Sequence, residues 1–234
     1  MVKPMPHENE IQDKMLMTAD AVIFTVKQNF LMVLLIQRGK EPFKGMYALP
    51  GGFIYAHETF EHGCLRELEE ETGVKNIFVK KLFVYDAIHR DPRDRIITVS
   101  FLALIDYQRF VLEANTDAMD AQWFDVSALP ALAFDHSRII QDALNELKYE
   151  IQVSNIAYQI LPQKFTLRQL QITYEAILNA SLDKRNFRKR IKELEILKPL
   201  NKTVMEGAHR PAQLFSFYDK KYSFLKEKIN VFLK

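Results

Sequence analysis

Between Gly52 and Val74 the chain reads GFIYAHETFEHGCLRELEEETGV, which sets Gly52, Glu58, Arg66, Glu67, Leu68, Glu70, Glu71, Gly73 and Val74 at fixed intervals. Glu67, Glu70 and Glu71 fall at i, i+3 and i+4, so at about 3.6 residues per turn a helix carries three carboxylates on one face. Like charges that close repel. A hard divalent cation reverses the sign, because Mg²⁺ takes oxygen ligands and binds through one or two carboxylates plus substrate phosphates. The spacing predicts a helix from about Glu58 to Thr72, stopped at Gly73. Glu58 at its start favours the macrodipole, and Arg66 is placed to reach Glu58 or Glu70 and hold the carboxylates in position. Gly51 and Gly52, following Pro50, let the loop backbone come close to a metal where a Cβ would intrude. Glu67, Glu70 and Glu71 with Gly52 are thus the candidate metal site; Glu58, Arg66, Glu70 and Glu71 are the candidate catalytic residues. The plainer alternative is a Glu-rich helix face turned to solvent.

The chain has 234 residues, 48% of them apolar, enough for an ordinary core and a small second domain. Charge divides unevenly: residues 1–150 carry net −7 and residues 151–234 net +9. A basic half of that size calls for an acidic ligand, nucleic acid, a membrane surface or simply solvent. Cys64 is the single cysteine, which excludes an intramolecular disulfide and fits a reducing compartment. Neither the polar start MVKPMPHENE nor the short run Phe30 to Ile36 reads as a signal core or membrane span, so the expected location is the cytoplasm, with no membrane partner.

Thr18 to Val26 and Phe30 to Gln37 read as a β-hairpin. Further strands are expected near Ile77 to Ala87, Arg95 to Ile105 and Asp120 to Phe124, and a helix over Ser137 to Tyr149. Strands with flanking helices in this order predict an α/β/α sandwich over residues 1–150.

Residues 151–234 predict a second domain of three helices and a hairpin: Ile151 to Leu161, Thr166 to Asn179 with Thr166 and Gln169 as a capping box, and Asp183 to Leu194. Two β-like pieces, Ile196 to Leu200 and Leu214 to Tyr218, flank a loop with Gly207, His209 and Arg210. That pattern predicts a winged helix. Lys184, Arg185, Asn186, Arg188, Lys189 and Arg190 crowd one helix, suited to double-stranded DNA: Asn186 and the arginines to base edges, the lysines to phosphates, and Arg210 to the backbone. A solvated helix on a packing subdomain is the alternative.

The spacing from Gly52 to Val74 looks like an unbroken Nudix box; a chance match at all nine positions is on the order of once in a billion windows. The whole series, TADAVIF, LPGGF, FDHSRII, FTLRQLQITYEAIL, LDKRNFRKRI and RPAQLFSFY, resembles the Nudix-related transcriptional regulators of NAD metabolism, the NrtR family. The resemblance implies a homodimer, ADP-ribose or a related nucleotide as ligand, operator DNA as partner and repression of NAD-related genes. Regulators of that family often carry a degraded box, whereas every box position here is intact, as is HRDPRDRIITVSF. Intact boxes imply hydrolysis of a nucleoside diphosphate derivative with Mg²⁺, or Mn²⁺ in its place. On that reading Arg38 and Arg90 contact pyrophosphate or terminal ribose, Phe53 stacks on a base or joins the core, and His136 positions phosphates or is structural beside a helix-capping Asp135. Two alternatives stand beside it: a dedicated ADP-ribose pyrophosphatase whose C-terminal domain does not bind DNA, and a catalytically silent regulator that responds to a sugar.

Overall fold

Strand β1 (Leu16–Lys27) and strand β2 (Phe30–Arg38) form the expected antiparallel hairpin. Gln28 and Asn29 turn it with φ of 52° and 68°, the doubly left-handed backbone that matches strand twist in a two-residue loop. The computed structural model describes residues 15–112, 118–205, 211–219 and 221–225.

Five more strands complete the main sheet: β3 (Tyr47–Ala48), β4 (Gly51–Phe53), β5 (Lys80–Tyr85), β6 (Ile96–Leu104) and β7 (Ala118–Asp125). The order is β3-β2-β1-β6-β5, with β7 on β2 and β4 on β1. β1 and β6 run parallel from Leu16↔Ile96 to Phe24↔Leu104, while the other pairings are antiparallel. On its other edge β1 changes partner: Thr18 to Asp20 pair with β4, and Phe24 to Lys27 pair with β2. The two partners part around Asp20 and Ala21, where the Ala21 N–H donates to the Pro50 carbonyl (2.8 Å). This parting opens the sheet where the candidate site lies.

Alternation along the strands sorts the core into two layers. Ala21 and Ile23 of β1, Leu34 and Ile36 of β2, and Phe101 and Ala103 of β6 pack with Cys64 and Leu68 of helix α1 (Phe60–Thr72). Val22, Phe24, Val33, Leu35, Leu102 and Leu104 face the opposite way, onto helix α2 (His136–Val153) through Ile139, Ile140, Ala143 and Leu147. The α/β/α sandwich is therefore present. Thr59, whose hydroxyl accepts from the His62 N–H, starts α1, and left-handed Gly73 (φ 74°) stops it, two residues inside the expected start. Cys64 is fully buried in the helix contact, and desolvation raises its thiol well above the ordinary range.

Beyond residue 150 the structure departs from one expectation. Ile151 to Leu161 is not a separate helix: α2 continues through Val153, and a single 3-10 turn, Ile156–Gln159, follows. The helical period continues unbroken across residue 150, so the buried stripe of α2 extends to Leu147 and Ile151. Strand β8 (Phe165–Thr166), helix α3 (Leu167–Leu178), helix α4 (Lys184–Glu193), strand β9 (Leu197–Val204) and strand β10 (Ala212–Phe217) complete the winged helix, with strand order β8-β10-β9. The Thr166/Gln169 capping box forms in both directions. Left-handed Asn179 ends α3, and Glu175 accepts from the Leu182 N–H (2.8 Å) while Gln171 donates to the Leu182 carbonyl (2.8 Å), fixing the turn into α4.

Tyr174 and Phe187 meet edge-on at 5.3 Å and join the layer containing Val22 and Phe24. Each such side chain contributes about 1.5–3 kcal/mol on burial. The α2 face of the main sheet and the winged helix thus share one continuous apolar layer. No described helix is long and apolar enough to cross a membrane.

Candidate functional site

A pocket of about 420 Å³ opens beside the parting of β2 and β4, and Arg38, Gly52, Phe53, Glu67, Glu70, Glu71, Arg90 and His136 all line it. Eight of the residues selected from sequence therefore meet at one place. Glu58 and Arg66 stand behind it. Arg66 grips Glu58 with Nη2 (2.7 Å) and Nε (3.1 Å), and its Nη1 reaches Glu67 (2.8 Å) and, more loosely, Glu70 (3.4 Å). It also donates to the Phe53 carbonyl (3.0 Å) and lies over the Tyr55 ring at 4.2 Å. The Arg66 hydrogen bonds and the Tyr55 N–H lower the Glu58 carboxyl to about 2. Arg66 thus acts as the strut that fixes the acidic face of α1 to the loop after β4.

The three metal-candidate carboxylates differ in surroundings. Glu71 is 6% exposed, accepts the Gly51 N–H (2.9 Å), and is pushed up to about 8 by burial. Burial also raises Glu67, against the pull of Arg66. Glu70 faces solvent, with 45% of its side chain exposed. Gly51 is required by contact, since a Cβ there would sit 2.2 Å from the Ala19 carbonyl oxygen; a Cβ on Gly52 would sit 2.4 Å from the Glu67 carboxyl carbon and push that carboxylate aside.

Among the described residues no three His, Cys, Asp or Glu groups are already gathered as a metal site. The helix face is acidic as expected, but its carboxylates are not converged: Arg66 holds Glu67 and the Gly51 N–H holds Glu71. The residues nonetheless suit a hard divalent cation. The donors are all oxygen, and burial disfavours the negative charge of two of them, the buried Glu71 and the half-buried Glu67, without a compensating cation.

The opposite wall is a polar lattice. Asp20, on β1 at the parting, accepts from the Thr98 hydroxyl (2.7 Å) and lies 3.8 Å from His136 Nε2 and 3.9 Å from Arg90. Arg90 is buried and bound by two hydrogen bonds to Asp135 (2.7 and 3.0 Å). Asp135 occupies the N-cap of α2 without a side-chain capping bond, which corrects the capping role expected of it. His136 Nδ1 accepts the Leu49 N–H (2.9 Å), so its proton is on Nε2, and burial lowers its pKa and keeps it neutral. It is both structural and pocket-lining. Arg38 donates to the Pro42 carbonyl (2.9 Å) and lies 4.8 Å from the Phe134 ring. Phe53 is 37% exposed, not a core residue.

The DNA candidates lie on α4, where Phe187 and Ile191 are buried beneath the helix and Lys184, Arg185, Asn186, Arg188 and Lys189 are exposed. At about 100° per residue, Arg185 and Lys189 project most directly away from the buried stripe. Arg190 is half-buried, which sets it apart from the others. Arg210 lies outside the described residues.

Comparison with known proteins matches residues 15–143 to the NUDIX domain and residues 157–217 to the NrtR DNA-binding winged helix domain. The ADPR responsive transcriptional repressor NtrR of Acinetobacter baylyi is 34% identical over 89% of this chain and 84% of its own length. The chain belongs to the NrtR family. The crystal structure of Shewanella oneidensis NrtR complexed with a 27mer DNA superposes on it with a TM-score of 0.74 at 32% identity, covering 86% of this chain and 93% of that one. ADP-ribose pyrophosphatase of Methanocaldococcus jannaschii is 46% identical over 47% of this chain and 64% of its own length.

Beside this NrtR-type framework stand residues that the sequence pattern did not single out. Asp20 is one, hidden inside an apolar strand. Arg93 is another: its guanidinium pairs with Asp91 (2.7 and 3.0 Å) and lies between the Phe53 and Phe134 rings, 5.2 and 5.3 Å away. The dense charge of HRDPRDR was the available signal for Arg93. Around α4, Lys164, Arg168, Lys198 and Lys202 add exposed positive charge on neighbouring elements.

Proposed function

We propose that this NrtR-family chain is an ADP-ribose-responsive repressor that binds operator DNA through α4 and also hydrolyses ADP-ribose, to AMP and ribose 5-phosphate, in its Nudix pocket. What supports both activities is one observation: the same chain carries an intact acidic face on α1 at the pocket and an exposed basic α4 on a winged helix that packs on the α2 face of the same sheet. The name of the Acinetobacter relative favours ADP-ribose response and repression. The archaeal pyrophosphatase, similar in the Nudix part alone, favours hydrolysis.

In the pocket, Glu67, Glu70 and Glu71 would hold Mg²⁺ or Mn²⁺, with Gly52 leaving room for it. The cation, when bound, supplies charge neutralisation at the anhydride oxygens and lowers the pKa of water. Arg38 and Arg90 bind the diphosphate or ribose oxygens, and Phe53 takes the base. His136, neutral with its proton on Nε2, donates a hydrogen bond toward the pocket. Glu70, the most exposed of the three carboxylates, accepts the proton of the attacking water. Glu58 and Arg66 act as positioning residues for that face.

On α4, Arg185, Arg188, Lys189 and Asn186 lie toward the bases, and Lys184, Lys198 and Lys202 toward phosphates. We assign ligand binding to residues 1–150 and DNA binding to residues 151–234, in a cytoplasmic homodimer. The enzymatic part is tested by AMP release from ADP-ribose with Mg²⁺. Glu70→Gln and Glu71→Gln should each lower turnover by about a hundredfold or more with the fold retained. Release by the purified wild type no greater than by Glu71→Gln, across a panel of nucleoside diphosphate sugars, would remove hydrolysis from the account.

A further inference from the structure

A second cavity, of about 570 Å³, lies between the end of β6, the segment 76–78, the 3-10 turn Ile156–Gln159 and β10. It shares no lining residue with the nucleotide pocket. Its size falls within the range of about 300–1,000 Å³ usual for small-molecule sites, which favour domain junctions.

Three features define its chemistry. Phe78, Phe110 and Phe217 give it an aromatic wall. The Gln159 side-chain nitrogen is shielded from solvent with no hydrogen-bond partner; the Tyr158 phenol is near enough to sense the amide but not in bonding geometry. A buried donor left unpaired costs about 1–3 kcal/mol, which a ligand's acceptor oxygen would recover. Arg109, exposed at the rim and 6.0 Å from the Phe110 ring, supplies positive charge. Asp106, the acidic residue on the same wall, uses its carboxylate on the Gln108 N–H (3.1 Å).

From these features we infer that the cavity binds a flat aromatic carboxylate of one or two fused rings. The ring lies against the phenylalanine wall, and the carboxylate oxygens accept from Gln159 and pair with Arg109. The sheet and the winged helix both supply walls, so a bound acid contacts the two together, and the cavity is a site for a second effector besides the nucleotide.

The test is calorimetric titration of the full chain with 2-naphthoate. The expected result is one probe per chain, still bound at saturating ADP-ribose, and weakened at least about fivefold in Arg109→Gln and in Gln159→Leu. Thermal unfolding of both variants checks that they fold, and the exposed Arg109 keeps the test open if Gln159→Leu does not. No binding at millimolar probe, equal binding by wild type and a folded variant, or displacement by ADP-ribose would each overturn the inference.

Discussion

The Tyr222 hydroxyl donates a 2.7 Å hydrogen bond to Glu150, a carboxylate with no solvent exposure near the end of α2. Lys80 of β5 reaches the same carboxylate and also pairs with Glu146 (2.8 Å). Just beyond, Asn155 donates to the Lys221 carbonyl (2.8 Å) and accepts the Ser223 N–H (2.9 Å), strapping the segment after β10 to the end of α2. The other end of α2 begins with His136 on the nucleotide pocket, next to Asp135 and its Arg90 pair. One helix of about 27 Å therefore touches the ligand site and the winged-helix strap.

Coupling between ligand and DNA should pass through this helix. If ADP-ribose weakens operator binding about tenfold, the coupling is about 1.4 kcal/mol, and DNA weakens ADP-ribose by the same factor. Tyr222→Phe keeps the ring stacked on Phe78 (5.8 Å) but removes the bond to Glu150. Titrating each ligand with and without the other should show the tenfold factor reduced to about twofold or less, with each separate affinity nearly unchanged. An unaltered factor would assign the coupling to another route.

Lys80→Met should destabilise the fold by about 3 kcal/mol in urea unfolding, because it leaves the buried Glu150 without its cation. Burial works against the Lys80 ammonium, but its bonds to Glu146 and Glu150 outweigh that and raise its pKa above 10.5. A raised cation contributes its stability fully below the unfolded value and loses it as pH rises through the folded one. The deficit of the variant should therefore stay constant from about pH 6 to 9 and shrink only above about 10.5.

Glu58 gives the opposite pH signature. With its carboxyl lowered from 4.5 to about 2, its contribution is present above 4.5 and lost as pH falls toward 2. Chemical unfolding of Glu58→Gln should show a deficit at pH 6 that closes with wild type near pH 2.

The box was readable because its residues are local. Glu67, Glu70 and Glu71 are related by helical period alone, and Arg66 and Glu58 lie one or two turns away, so their shared face follows from spacing. The alternation of β1 and β2 and the Thr166/Gln169 cap were legible for the same reason. Asp20, Arg93 and the Arg90–Asp135 pair were not, because they meet only where β4 and β2 part along β1 and the start of α2 docks beside them. The separate helix expected over Ile151 to Leu161 is absent because the period of α2 runs unbroken through Val153, and the chain then makes only the 3-10 turn Ile156–Gln159.

On α4, exposure ranks the basic residues. Arg185→Ala and Lys189→Ala should weaken operator binding by about 1–3 kcal/mol, while the half-buried Arg190 should matter less to DNA than to folding. Lys198→Ala on β9 should weaken operator and random duplex alike and lower the salt slope by about 0.9. Competition binding over a salt series distinguishes these outcomes.

The central claim is that the Nudix pocket controls the winged helix. It is tested by fluorescence anisotropy of labelled upstream DNA, titrated with ADP-ribose in the presence of Mg²⁺ and using Glu71→Gln so that the ligand survives. The account predicts dimer-bound DNA that preferentially holds a pseudo-palindromic site and is released as ADP-ribose saturates the pocket, with affinity lowered about tenfold. Operator affinity unchanged at ADP-ribose concentrations shown by calorimetry to saturate the same variant would contradict it.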